Sequence, residues 1–254
     1  MPIYTLAKFT VRGYLKERIL LVVLLFGFLL MAASYVLSPL AVGAQQKIVI
    51  DIGLGSVSIF GVLLIVLLGA GSLYQEKERG ILKTLLVKPI TRADYILGKY
   101  SGMVATVAMV MALMSALYLG FMALSGAPFS ANVFWSLYLS LLEAAVVTSV
   151  LTLFASFSSP ILSSFFTICV VVCGHMSTDL LEFANRFGGP VVKAFANVAF
   201  YTLPNLGLFN IRSEAVHGLP LPEGFIYSVT IYGLFYAGVL LYLSAVIFRR
   251  KEIN

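Results

Sequence analysis

Apolar residues gather in this chain in long unbroken runs rather than at every second or third position. About 20 residues at about 1.5 Å rise cross a hydrocarbon core of about 30 Å, so a run of that length reads as a membrane span. Six runs qualify, some with a polar interruption, at about 19–43, 52–73, 101–124, 134–157, 160–177 and 225–248. The pattern predicts an all-α integral membrane protein, one transmembrane domain over 1–254 with six transmembrane helices. The stretch 190–209 is also fairly apolar, but it carries Lys193, Asn197, Pro204 and Asn205. Re-entrant or interfacial helices are therefore expected in the segment 178–224, between spans five and six, rather than a seventh span.

Two shorter stretches are amphipathic. In residues 1–18, Lys8, Arg12 and Lys16 recur at i, i+4 and i+8, with Ile3, Leu6 and Tyr14 turned elsewhere. That suits an interfacial amphipathic helix lying among headgroups, or else a plain extension of the first span. On a helix over 76–87, Ile81, Leu82, Leu85 and Leu86 share one arc, Glu76, Gly80 and Lys83 face the other way, and Pro89 ends it. Each aliphatic side chain is worth about 1.5–3 kcal/mol when fully buried. These four must therefore pack on span ends, headgroups or a second protein. In the third span, Ala108, Ala112, Ala116 and Gly120 recur every four residues, a spacing that lets helix backbones approach closely in lipid.

Composition agrees with the pattern. The chain is 60% hydrophobic and only 11% charged, less than half the usual share in soluble proteins, with a mean hydropathy of +1.00. The charge is unevenly placed: the stretch 74–99 alone holds six of the seventeen Lys and Arg. Six spans put both termini and 74–99 on one side with thirteen of the seventeen basic residues. By the positive-inside rule that side is the cytoplasm. The +6 net charge follows from the membrane and implies no nucleic-acid partner. The first span is expected to be retained, because its apolar run exceeds a signal peptide's and cutting after Ala44 would remove too long a leader. Cys169 and Cys173 both fall inside a span and give no disulfide framework.

Glu78, Gly80, Leu82, Leu85, Leu86, Pro89, Ile90 and Arg92, followed by Gly98-Lys99, spell E-x-G-x-L-x-x-L-L-x-x-P-I-x-R and then G-K. This resembles the signature between the second and third spans of the type-2 ATP-binding-cassette (ABC-2) transporter permeases. The likeness extends to the six-span layout, the amphipathic start and the long segment before the last span. The resemblance implies that the loop 76–92 carries a short cytoplasmic coupling helix that seats on a separate ATPase subunit, through Glu76, Glu78, Arg79, Gly80, Ile81, Leu82, Leu85, Leu86, Pro89 and Arg92. It further implies two ABC ATPase subunits carrying ATP and Mg, a second permease half in a homo- or heterodimer, and export of substrate across a bacterial cytoplasmic membrane.

The chain has no engine of its own. Gly98-Lys99 lacks the first glycine and the hydroxyl of a phosphate-binding loop, and neither H-E-x-x-H nor G-x-S-x-G occurs. No catalytic residue and no bound cofactor are expected. Glu143 stands near the middle of the fourth span, where an acid costs about 2.5–3.5 kcal/mol on insertion scales and usually faces the bundle interior. It could contact substrate, relay protons in a gradient-driven carrier, or accept hydrogen bonds from hydroxyls on neighbouring spans. Cys169, Cys173 and Met176 fall on one helical face. Soft sulfur suits Cu(I), and one branch of the resembled family serves copper-enzyme maturation. Such residues are also ordinary apolar fillers, and no metal site is assigned. Around 202–218, Pro204, Asn205, Asn210 and Arg212 stand out as gate candidates, since the resemblance implies short outer helices closing the path, although a surface loop fits the residues equally. A membrane assembly subunit without transport is the remaining alternative.

Overall fold

The computed structural model of the protein describes residues 2–37, 45–78 and 91–250. Every regular element among them is helical, as expected where no water can satisfy an open sheet edge. In order they are α1 (Pro2–Tyr14), α2 (Arg18–Leu37), α3 (Gln45–Glu78), α4 (Arg92–Ser125), α5 (Ala131–Phe157), α6 (Pro160–His175), α7 (Ser177–Phe187), α8 (Pro190–Thr202), a 3-10 turn (Leu206–Phe209), α9 (Arg212–His217) and α10 (Phe225–Arg250).

Four stretches are long and apolar enough to cross a membrane: Gln45–Gly69 of α3, Ala93–Ser125 of α4, Ala131–Phe157 of α5 and Phe225–Phe248 of α10. The expected fifth span is a bent pair instead. Ile161–His175 is too short alone and turns by 63° into Ser177–Phe187. Of the expected first span, 19–43, the described residues hold the shorter apolar helix Leu20–Val36, and 38–43 lie outside them. Among the described residues there are thus four to five candidate spans and one shorter apolar helix. Between α6 and α10 the chain is broken into short helices, and α8, with 13 residues, extends only about 20 Å at 1.5 Å per residue.

Burial ranks the helices. Of α5's apolar stretch 72% is buried inside the protein, and of α3's 61%, against 17% for α10. So α3 and α5 form the axis, with α2, α4, α6 and α10 around them. On α4, Met103, Val107, Met111, Met114, Tyr118 and Met122 turn inward, the unbranched thioethers filling irregular gaps. The stripe Ala108, Ala112, Ala116 and Gly120 does not serve this chain's own helix packing. Ala112, Ala116 and Gly120 are exposed, and a Cβ on Gly120 would meet nothing within 4 Å.

Close approach occurs one stretch earlier, where α1 lies on α4. A Cβ on Gly98 would stand 2.7 Å from Leu6 Cβ, and one on Gly102 would stand 2.9 Å from the Ala7 carbonyl oxygen. Leu6, Thr10 and Tyr14 are buried there, while Lys8 and Arg12 stay exposed. One apolar side of α1 therefore meets protein, while Tyr4 and Phe9 remain exposed on the helix. Helix α4 is started by a capping box, in which Thr91 Oγ1 accepts the Asp94 N–H at 3.1 Å and the Asp94 carboxylate accepts the Thr91 N–H at 3.3 Å. It ends at Gly126, whose φ of 67° is the left-handed cap that glycine favours.

Gly102→Val should separate α1 from α4 and cost about 1–3 kcal/mol by overpacking. Gly120→Ala, with open space around it, should be neutral or slightly stabilising. Thermal unfolding of the detergent-solubilised protein compares the two, and equal midpoints would refute the close-approach reading.

Candidate functional site

An acid inside an apolar bundle must find partners or remain neutral. Glu143 lies near the middle of α5 and is 2% exposed. Ser58 of α3 donates its hydroxyl to Glu143 Oε2 at 3.4 Å. Glu143 Oε1 has no hydrogen bond among the described residues but stands 3.3 Å from His175 Nε2. His175 is the last residue of α6, so the bend after it brings the imidazole to the acid.

The ring's other nitrogen identifies the proton arrangement. His175 Nδ1 lies 3.0 Å from the Val171 carbonyl oxygen. A carbonyl only accepts, so Nδ1 carries a hydrogen. In a neutral ring Nε2 is then an acceptor, and two bare acceptors repel at such a distance. Either Glu143 is protonated toward Nε2, or Nε2 is protonated toward a carboxylate. In both cases one proton is held between α5 and α6, with Ser58 adding a donor from α3.

The segment after α8 covers this pair. Leu206 and Phe209 of the 3-10 turn are almost wholly buried, inserted against α5 and α6. The Pro204 carbonyl presses on α6 at Gly174, where a Cβ would stand 2.6 Å away, and Gly207 approaches the His175 carbonyl. The Asn205 N–H donates to the Tyr232 hydroxyl of α10 at 2.9 Å, and Asn205 Oδ1 is buried with no hydrogen bond among the described residues. Next along the chain, Asn210 Oδ1 accepts the Arg212 N–H at 3.3 Å. Arg212 Nε meets Asp51 Oδ1 of α3 at 2.9 Å. Its guanidinium lies over Gly55, where any Cβ would collide with it. Beside that ion pair is a cleft of about 580 Å³ lined by Lys47, Asp51, Asn210, Arg212 and His217 among others.

Pro204, Asn205, Asn210 and Arg212 thus fall in one segment that closes over the end of α6 and clasps α3. Glu143 lies beneath it. His175, Ser58 and Asp51 were not among the residues expected from sequence. A polar residue at the end of an apolar run was the only available signal for His175 and Asp51, and for Ser58 there was none. Of the residues expected to couple to an ATPase, Glu76 and Glu78 lie on the final turn of α3 and Arg92 opens α4. Arg79, Gly80, Ile81, Leu82, Leu85, Leu86 and Pro89 lie outside the described residues. Cys169 is exposed and Cys173 half-buried, Met176 is exposed beyond the end of α6, and no group of three or more His, Cys, Asp or Glu is placed to hold a metal ion among the described residues.

A family model described as "ABC-2 family transporter protein" matches residues 5–253. No curated protein matches the chain.

Glu143→Gln keeps the acceptor for Ser58 and a donor for Nε2, and should fold with little loss. Glu143→Leu removes the shared partner of Ser58 and His175 Nε2, both half-buried, and should cost about 0.5–1.5 kcal/mol. Thermal unfolding in detergent distinguishes them; a Leu variant as stable as the Gln variant would show that the contacts contribute nothing.

Proposed function

The chain belongs to the ABC-2 transporter family, and on that premise we propose that it is the membrane-spanning permease subunit of an ATP-driven exporter. Proteins of this family are membrane transport components that work with ABC ATPase subunits. The observation that carries the reading is the family match over 5–253, which runs through the charged stretch between α3 and α4. Two copies of an ATPase, binding ATP and Mg, and two permease halves form the working unit, in a bacterial cytoplasmic membrane with both termini inside.

In this reading residues 76–92 transmit the ATPase motion. The capping box at Thr91 and Asp94 supports it, since a rigid helix start directly after the loop gives a push somewhere to go: along α4, and through Gly98 and Gly102 into α1. The segment 203–218 is the outer gate. Its support is the clasp of Arg212 on Asp51 and the insertion of Leu206 and Phe209 above Glu143. Opening the path then requires this turn to withdraw, exposing the Glu143–His175 pair to passing substrate.

A second reading, a carrier driven by a proton gradient, is favoured by one observation: His175 Nε2 stands 3.3 Å from Glu143 Oε1, a pair able to pass a proton. The two readings separate by energy source. Transport in vesicles that needs ATP and the co-purified ATPase, and that Glu143→Gln slows without abolishing ATP hydrolysis, supports the exporter. Transport that follows a pH gradient without ATP supports the carrier.

Reversing Glu76, Glu78 and Arg79 together, or replacing Leu82 and Leu85 by Asp, should abolish co-purification with the ATPase while leaving the permease in the membrane. Retention of the complex in both variants would remove the coupling role from 76–92.

A further inference from the structure

The cleft at the start of α3 is not used by the proton pair, and its lining chemistry points to a ligand. We propose that it binds the anionic head of an amphiphile, a single carboxylate or phosphodiester on an apolar tail, and that the head competes with Asp51 for Arg212. This rests on the reading of 203–218 as a gate, because Arg212 joins that segment to α3.

Two cations, Lys47 and Arg212, line the cleft against one carboxylate, Asp51. Asp51 meets the Nε edge of Arg212, so the local balance is one positive charge in excess. Lys47 is exposed and has no ion-pair partner among the described residues. A guanidinium carries five N–H donors in a planar fork that suits carboxylate and phosphate, and Arg212, at 40% side-chain exposure, remains open to the cleft. His217 does not decide the choice. Its Nδ1 lies 3.0 Å from the Ser213 carbonyl oxygen and so carries a hydrogen, leaving Nε2 of the neutral ring an acceptor that cannot hold an anion.

The apolar part of the lining argues for a tail. Ile48, Ile52 and Val216 form it, and Ile48 and Ile52 lie one turn apart on α3, where its membrane-crossing stretch begins. A free inorganic anion would gain nothing from that wall. A cationic ligand would have to sit beside Lys47 and Arg212 with only one shared carboxylate. The volume, about 580 Å³, is within the range of small-molecule sites, about 300–1,000 Å³. An anion that takes the guanidinium frees Asp51 and removes a link between α9 and α3, so occupancy loosens the segment that covers Glu143.

The test uses the full chain in phosphatidylcholine nanodiscs, without ATPase or nucleotide, and measures binding of oleate, phosphatidylglycerol, inorganic phosphate and dodecyl maltoside. Oleate and phosphatidylglycerol should bind. Arg212→Gln and Lys47→Gln should each weaken them roughly tenfold, the scale of losing a hydrogen bond to a charged group, and Asp51→Asn should tighten them. Lys47 is exposed, so its variant folds even if the Arg212 variant does not. Unchanged affinity in Lys47→Gln, tighter binding of the neutral maltoside than of oleate, or inorganic phosphate binding as well as oleate would each overturn the proposal. A negative result here leaves the permease reading intact, whereas loss of the ATPase partnership would not alter this binding.

Discussion

Hydrocarbon leaves no water to satisfy a free carbonyl, and that constraint governs the point where α6 stops. A helix ending inside the bundle strands its last carbonyls. Here the Met176 N–H takes the Val172 oxygen at 3.2 Å. His175 Nδ1 adds a second donor to the Val171 oxygen at 3.0 Å, and the same imidazole presents its other nitrogen to Glu143. One ring thus links the end of α6 to the buried acid.

Around that point the bundle is packed by shape more than by hydrophobic driving force. Side chains of α4 and α5 fill notches on α3: Tyr118 lies against Gly53, Met111 against Gly61 and Leu151 against Gly69. Buried hydroxyls on α5 return their hydrogens to their own helix, Thr148 to the Ala144 carbonyl and Thr152 to the Thr148 carbonyl, each at 2.7 Å. They cost no unsatisfied donor and let neighbouring backbones come near. Ser58 is different, since it spends its hydrogen on Glu143 of the neighbouring helix.

The two ends of the bundle differ in kind. At one, α4 begins at a capping box, with Lys8 and Arg12 of the adjoining α1 exposed. At the other, side chains tie helix ends and connections together: Arg212 to Asp51, Asn132 Nδ2 to the Glu214 and Leu219 carbonyls at 3.3 and 2.8 Å, and Gln46 Nε2 to the Gly126 carbonyl at 3.0 Å. The Arg212–Asp51 pair is half-exposed, and such ion pairs are worth about 0.2–1 kcal/mol. A fastening of that size can be made and released at little cost.

Sequence by itself determined that the chain is helical and membrane-bound, where charge concentrates and that an acid lies mid-span. Run length and charge are local quantities. Tertiary structure alone decided that Glu143 meets His175, that Arg212 meets Asp51, that α6 bends away where a straight span was expected, and which face of α4 turns inward. The last is instructive: the stripe from Ala108 to Gly120 looked like a packing seam, yet Met103 to Met122 fill the core. In water an apolar face must turn inward, so its pattern reveals burial. In lipid both faces are apolar and the solvent sorts neither, so only the fit between particular side chains and notches chooses the side.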